Sequence, residues 1–198
     1  LALFSGPPHV ARTNAVYFLF LLAFSGMEFS LTFLAAERLD FAPHHNAFIF
    51  VFVGLILAGV QGTYVRRYAD LIGAKAMALQ GMATVLPGLA LIGLSAYAQS
   101  VPLLFLGLAF LGVGAAQATP CLTTLASIYA PPSEQGRALG LFRSVGALGR
   151  AVGPLIACVI YWRLGSVATY FVATLFLVVP LWLLWRLPAP RTEPAPAG

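Results

Sequence analysis

RALGLFRSVGALGRAVGPLIACVIYW, Arg137 to Trp162, is apolar over a length that crosses a bilayer, yet it carries Arg143 and Arg150 well inside. A spanning helix needs about 20 mostly apolar residues for a hydrocarbon core of about 30 Å. A permanent cation near the middle of a span costs about 2.5–3.5 kcal/mol on insertion scales, so it turns toward protein or a water-filled cavity. At about 100° per residue, Arg143 and Arg150 lie within about 20° of one another and share a face. The same arithmetic puts Gly146, Ala147, Pro154, Ala157 and Tyr161 on that face and Leu141, Val145, Leu148, Val152, Leu155 and Val159 opposite. The segment reads as a helix that is amphipathic within a membrane.

The rest of the chain is biased in the same direction. It has 198 residues, 60% hydrophobic and 9% charged, whereas soluble domains carry about 25% charged residues. Six apolar stretches, near 14–36, 46–65, 76–98, 102–126, 137–161 and 165–186, have spanning length. The breaks ERLDFAPHH, RRYADLIGAK, AQSVP and YAPPSEQG mix charge with Pro, Gly and Ser, the chemistry of turns. Segments of about ten alternating residues, the mark of a membrane barrel, are missing. The expected fold class is therefore all-α, a polytopic membrane protein with six transmembrane helices. Residues 1–13 read as a linker and residues 188–198 as a disordered Pro-rich tail. LALFSGPPHV has no basic flank and puts Pro7 and Pro8 after a short apolar run, unlike a signal peptide. The chain is expected to be part of something longer.

Lys and Arg in short loops stay cytoplasmic. In a six-span serpentine, Arg12, Arg66, Arg67, Lys75, Arg137, Arg186 and Arg191 fall on one side and Arg38 and Arg163 on the other. Both ends are expected to be cytoplasmic. A basic inner face accounts for the net charge of +5 without any nucleic acid partner.

Enzyme chemistry finds little support. HExxH, GxSxG, GxxxxGK[ST] and GxGxxG are all missing. Cys121 and Cys158 fall within spans and read as packing thiols. His44 and His45 are adjacent and lack the spacing of a metal site. No metal or other cofactor is expected.

What remains is a set of polar groups inside the spans. Glu28 lines up with Tyr17, Ser25 and Thr32 on the first helix, one polar stripe that should turn inward. A carboxyl held between desolvation and a nearby cation can carry a proton; otherwise it joins two helices as a static pair. Arg150, near mid-span, points to an interior or cavity role. Arg143 has two open readings, the cavity or snorkelling to the interface. Gln117, Thr119 and Pro120 form a polar, helix-weakening spot after Gly107, Gly112 and Gly114, and Pro87 predicts a kink. Gly146, Gly149 and Gly153 give a small-residue surface, the last two at GxxxG spacing, which suits close helix packing with Pro154 beside it.

The runs Gly136-Arg137-Ala138-Leu139-Gly140, Arg143-Ser144 and Leu148-Gly149-Arg150-Ala151-Val152-Gly153-Pro154 resemble the loop and eleventh helix of major facilitator superfamily drug antiporters. FSGMEFSLTFL, Phe24 to Leu34, is similar to the seventh helix of the tetracycline-transporter-like branch. Across the chain, the six helices match the second six-helix half of such a transporter in order. Gly62, Arg66, Arg67, Gly73 and Lys75 are similar to the superfamily's glycine and basic loop signature, with either the acidic position or the opening glycine displaced.

The resemblance implies one half of a twelve-helix bundle working by alternating access. It implies a small organic substrate, protons as the coupling ion, and a missing N-terminal half or partner half, without which the chain should not transport. Two cavity-facing arginines favour an organic anion over a cation. The alternative is a non-transporting scaffold or receptor that keeps the fold.

Overall fold

The structure is a computed structural model that describes residues 7–189. The expected linker over residues 1–6, the tail over residues 190–198 and Arg191 lie outside the described residues. Six α-helices follow one another: α1 Pro8–Leu39, α2 Pro43–Val60, α3 Arg66–Ile72, α4 Ala74–Ala98, α5 Val101–Ile128 and α6 Gln135–Trp185. A wide π-type stretch, Gln61–Val65, joins α2 to α3, and a 3₁₀ turn, Pro132–Glu134, precedes α6.

The helix ends follow from local chemistry. Pro8, Pro43 and Pro102 sit in first turns, where a missing N–H leaves no bond unmade. α1 ends at Asp40 and α4 at Gln99, both in the left-handed conformation, with Asp40 N–H reaching back to the Ala35 carbonyl. His45 Nδ1 accepts the Ala42 N–H at 3.0 Å and caps the start of α2.

Several boundaries differ from the sequence reading. Residues 8–13 of the expected linker are the first turns of α1, because Pro8 starts a helix as readily as it ends a loop. His44 and His45 fall in the first turn of α2 rather than in a loop. The expected break RRYADLIGAK is mostly helix: the chain stays helical through Ile72 and breaks at Gly73, whose φ of +86° favours glycine.

The last two expected spans run together. Within α6, Gly165 alone is non-helical, at φ 83° and ψ 170°, and it divides α6 into α6a, residues 135–164, and α6b, residues 166–185. Five helical stretches among the described residues are long and apolar enough to cross a membrane, and the fifth contains both legs of α6. The legs form a hairpin. Ala138 of α6a meets Val10 and Ala130, while past the end of α6b Tyr129 donates to the Pro188 carbonyl. Both ends of α6 therefore lie on the face where α1 begins and α5 ends. On the opposite face Arg38 Nε donates to Ser166 Oγ, just past the break, at 3.0 Å.

Two seams dominate the packing, α1 on α6 and α4 on α5. In the second, glycines face glycines. A Cβ on Gly81 would lie 2.6 Å from the Gly114 carbonyl oxygen, and one on Gly107 would lie 2.8 Å from that of Gly88. α2 packs mainly on α5 and leaves Phe48, Val51 and Leu55 exposed, as on a helix that meets lipid or further protein.

Candidate functional site

α1 and α6a run side by side in the same direction, and their polar faces come together at one edge of the seam. Three glycines of α6a bring this about. Gly146 receives the ring of Tyr17 and Gly149 lies against the Phe18 carbonyl, where a Cβ would approach to 2.9 Å. Gly153 lies against the backbone of Leu22 and Gly26. At this range any larger side chain on α6a would push the helices apart.

At mid-span, Ser25, Glu28, Thr32, Phe29, Phe50 and Pro154 line an open cavity of about 330 Å³ between α1, α2 and α6a. Ser25 Oγ donates to the Arg150 backbone carbonyl at 3.1 Å. That carbonyl is the group freed when Pro154, four residues on, offers no N–H. Thr32 Oγ1 donates to the Phe29 carbonyl of its own helix at 3.0 Å. Glu28 is half-buried and forms no ion pair among the described residues.

Toward the near face, the Tyr17 ring stacks on Phe142 with centroids 3.9 Å apart and 11° between planes. Arg143 and Arg150 are exposed, and both guanidinium groups lie within electrostatic reach of the Tyr17 hydroxyl. Neither forms an ion pair among the described residues. One edge of the seam thus presents two cations without an ion-pair partner among the described residues, a phenol, a carboxyl and a hydroxyl.

Gln117 is not part of this group. It is buried in the α4–α5 seam beside Gly81, its Nε2 donates to the Val113 carbonyl at 3.1 Å, and its Oε1 has no partner among the described residues. Residues 119 and 120 follow on the same helix, where Thr123 and Thr124 hydroxyls return to their carbonyls at 3.0 and 3.1 Å.

The basic loop signature divides into different roles. Gly62 sits in the π-type stretch with open space around it, and Arg66 and Arg67 begin α3, Arg67 lying 5.7 Å from the Tyr68 ring centroid. Gly73 makes the break. Lys75 Nζ donates to the Trp185 carbonyl at 3.1 Å and to the Leu187 carbonyl, satisfying groups left open at the end of α6b. Burial pushes the Tyr129 phenol above its ordinary pKa, so it stays a donor to Pro188 beside this end.

Sequence reasoning passed over a second polar cluster at the far end of the seam. Tyr161 donates to Glu37 Oε2, Glu37 Oε1 lies 3.6 Å from Arg38 Nε, and Ser30 Oγ donates to the buried Tyr170 hydroxyl at 3.2 Å. The signal was faint. Glu37 stood in an expected break, and it enters the seam only because α1 continues through Leu39.

The sequence profile described as Major Facilitator Superfamily matches residues 13–198. Major facilitator superfamily domain-containing protein 10 of Mus musculus is 40% identical over 183 residues, 92% of this chain and 39% of the relative. The chain spans about two fifths of the length of the curated relatives of this name from Mus musculus and Homo sapiens. Among solved structures, the human organic anion transporter MFSD10 (TETRAN) superposes with a TM-score of 0.84 at 36% identity, covering 91% of this chain and 42% of that one. The POT family transporter PepTSo shares the fold, with a TM-score of 0.74 at 15% identity over 96% of this chain and 40% of its own. With spanning helices, a glycine-packed seam and a profile match over nearly all its length, this chain belongs to the Major Facilitator Superfamily.

Proposed function

We propose that this chain is the C-terminal six-helix part of a secondary active transporter that moves small amphipathic organic anions by alternating access. Arg143 and Arg150 hold the anion's charge. The observation that carries this reading is their placement: two unpaired guanidinium groups share one exposed edge of α6a beside Tyr17. Cations inside a span are costly unless they face protein or a cavity, and a bidentate guanidinium suits a carboxylate or sulfonate. The description of a 36%-identical structure as an organic anion transporter supports the same class.

Glu28 is the proton carrier in this reading. It sits one helical turn from Ser25, whose hydroxyl holds the Arg150 backbone, so protonation and anion binding act on neighbouring turns. The near face, with Lys75 and the ends of α5 and α6b, is cytoplasmic by the positive-inside rule. The N-terminal half of the longer protein supplies the other wall of the cavity. The resemblance of the run Phe24 to Leu34, which carries Ser25, Glu28 and Thr32, supports membership of the tetracycline-transporter-like branch.

The test replaces Arg150 by Leu and by Lys in the full-length protein, with uptake of a radiolabelled organic anion measured in proteoliposomes. Leu should abolish uptake at unchanged membrane abundance, and Lys should keep part of it. Unchanged uptake in the Leu variant would remove Arg150 from the path.

A further inference from the structure

Past the close contact of Gly26 with Ala157, a groove of about 520 Å³ opens near the far face of the α1–α6a seam, lined by Phe33, Glu37, Cys158, Tyr161 and Trp162 among others. Its volume falls in the range of about 300–1,000 Å³ typical of sites for drug-sized molecules. It is distinct from the anion site: Glu37 lies nine residues beyond Glu28, about 13 Å along α1.

The chemistry of the walls is one-sided. Three are aromatic, and two of these are open, Phe33 at 51% and Trp162 at 88% exposure. The charged group in the lining is the Glu37 carboxylate, half exposed and fixed in place by the Tyr161 hydroxyl. Arg38 does not line the groove, and its Nε is shared between Ser166 Oγ at 3.0 Å and Glu37 Oε1 at 3.6 Å. At 3.6 Å the Arg38 contact is longer than a hydrogen bond, so Glu37 Oε1 keeps its lone pairs free to accept from the N–H of a second cation. Aromatic faces carry negative potential and attract ammonium groups. An anion would meet the carboxylate and three negative ring faces.

We propose that this groove is a binding site for lipophilic ammonium ions, with the aromatic or alkyl body against Phe33 and Trp162 and the nitrogen at Glu37. An amine lodged there lies across the α1–α6a edge that also carries Arg150 and Glu28, and so blocks the route of an anion without competing for its charge site.

Cys158 provides the readout, since it lines the groove and is exposed, whereas Cys121 is buried. The full-length protein in detergent is treated with N-ethylmaleimide, and alkylation at Cys158 is followed by peptide mass spectrometry in the presence of phenylbutylamine, phenylbutanol or phenylbutyrate. The ammonium should protect Cys158 at a concentration about tenfold lower than the alcohol, the ratio that one charge-assisted contact gives, and the carboxylate should protect least. Glu37→Gln should erase the advantage of the ammonium. Trp162→Ala, at a residue too exposed to matter for folding, should weaken protection by both amine and alcohol. Equal protection by amine and alcohol, stronger protection by the carboxylate, full ammonium protection in E37Q or W162A, or a Cys158 inert without ligand would each overturn the proposal. The readout does not depend on transport, so it stands or falls apart from the role of Arg150.

Discussion

The molecule contains two seams built by the same device and put to opposite ends. Glycines bring α4 against α5 and α6a against α1, in both cases to backbone contact. The α4–α5 seam is sealed: the groups around Gly81, Gly88, Gly107 and Gly114 are Leu, Ile, Val and Ala, and its one buried amide, Gln117, keeps its nitrogen bonded to its own helix. The α1–α6a seam has charged margins, with Arg143 and Arg150 at one end, Glu28 in the middle and Glu37 at the other. Close packing is therefore not itself the functional signal. What distinguishes the α1–α6a seam is that polar groups flank the glycines instead of being absorbed between them.

The largest expected effect breaks the sealed seam. Gly114→Val would force a Cβ to within 2.5 Å of the Gly81 carbonyl oxygen, where backbone rather than a flexible side chain must yield. Overpacking of this kind costs about 3 kcal/mol, visible as a large loss of monodisperse protein in a thermal size-exclusion assay. Gly146→Ala tests the other seam and should be milder, because its obstacle is the rim of the Tyr17 ring. Folding should persist at about 1 kcal/mol of destabilisation, while displacement of Tyr17 from its stack on Phe142 should lower anion uptake. If the two variants unfold alike, the contrast between the seams is lost.

Glu28→Gln sharpens the contrast in function rather than stability. It should leave the melting temperature unchanged and make anion flux indifferent to an imposed pH gradient in proteoliposomes; a flux that still follows the gradient would move proton coupling elsewhere. Lys75→Met, away from both seams, removes a cation from the carbonyls at the end of α6b and should cost about 1 kcal/mol. The smallest effect belongs to Gly62→Ala: open space surrounds it and its φ is not left-handed, so the change in melting should stay within about 0.5 kcal/mol.

Much of this was legible in the sequence because the bilayer imposes a length and hydropathy that few other folds share. The spans near 76–98 and 102–126 differ from α4 and α5 by two residues or fewer at each end. Helical arithmetic also identified Arg143 and Arg150 as neighbours on one face, since seven residues bring a helix almost back to its start. It was less able to say what that face meets. Gly146, placed with the arginines, turns instead toward Tyr17, while Leu148, Leu155 and Val159, on the opposite side of the wheel, are exposed. A helical wheel ranks directions, and in a membrane lipid-facing and protein-facing residues can both be apolar, so hydropathy does not separate them. Gln117 stood out in the sequence because it is polar; its burial between two glycine-lined helices is a tertiary fact with no local trace. The Lys75 cap and the Glu37–Tyr161 contact join positions more than a hundred residues apart, beyond any periodicity.

The single-residue break at Gly165 has a mechanical consequence. A hairpin that reverses through one glycine has no slack, so a tilt of α6a is either taken up by two backbone dihedrals or passed to α6b. The far tip of α6b is in turn lashed to the start of α4 by Lys75. The last third of the chain therefore has the form of a bell crank: one pivot, two stiff arms, and a tether that passes movement of α6b to the start of α4.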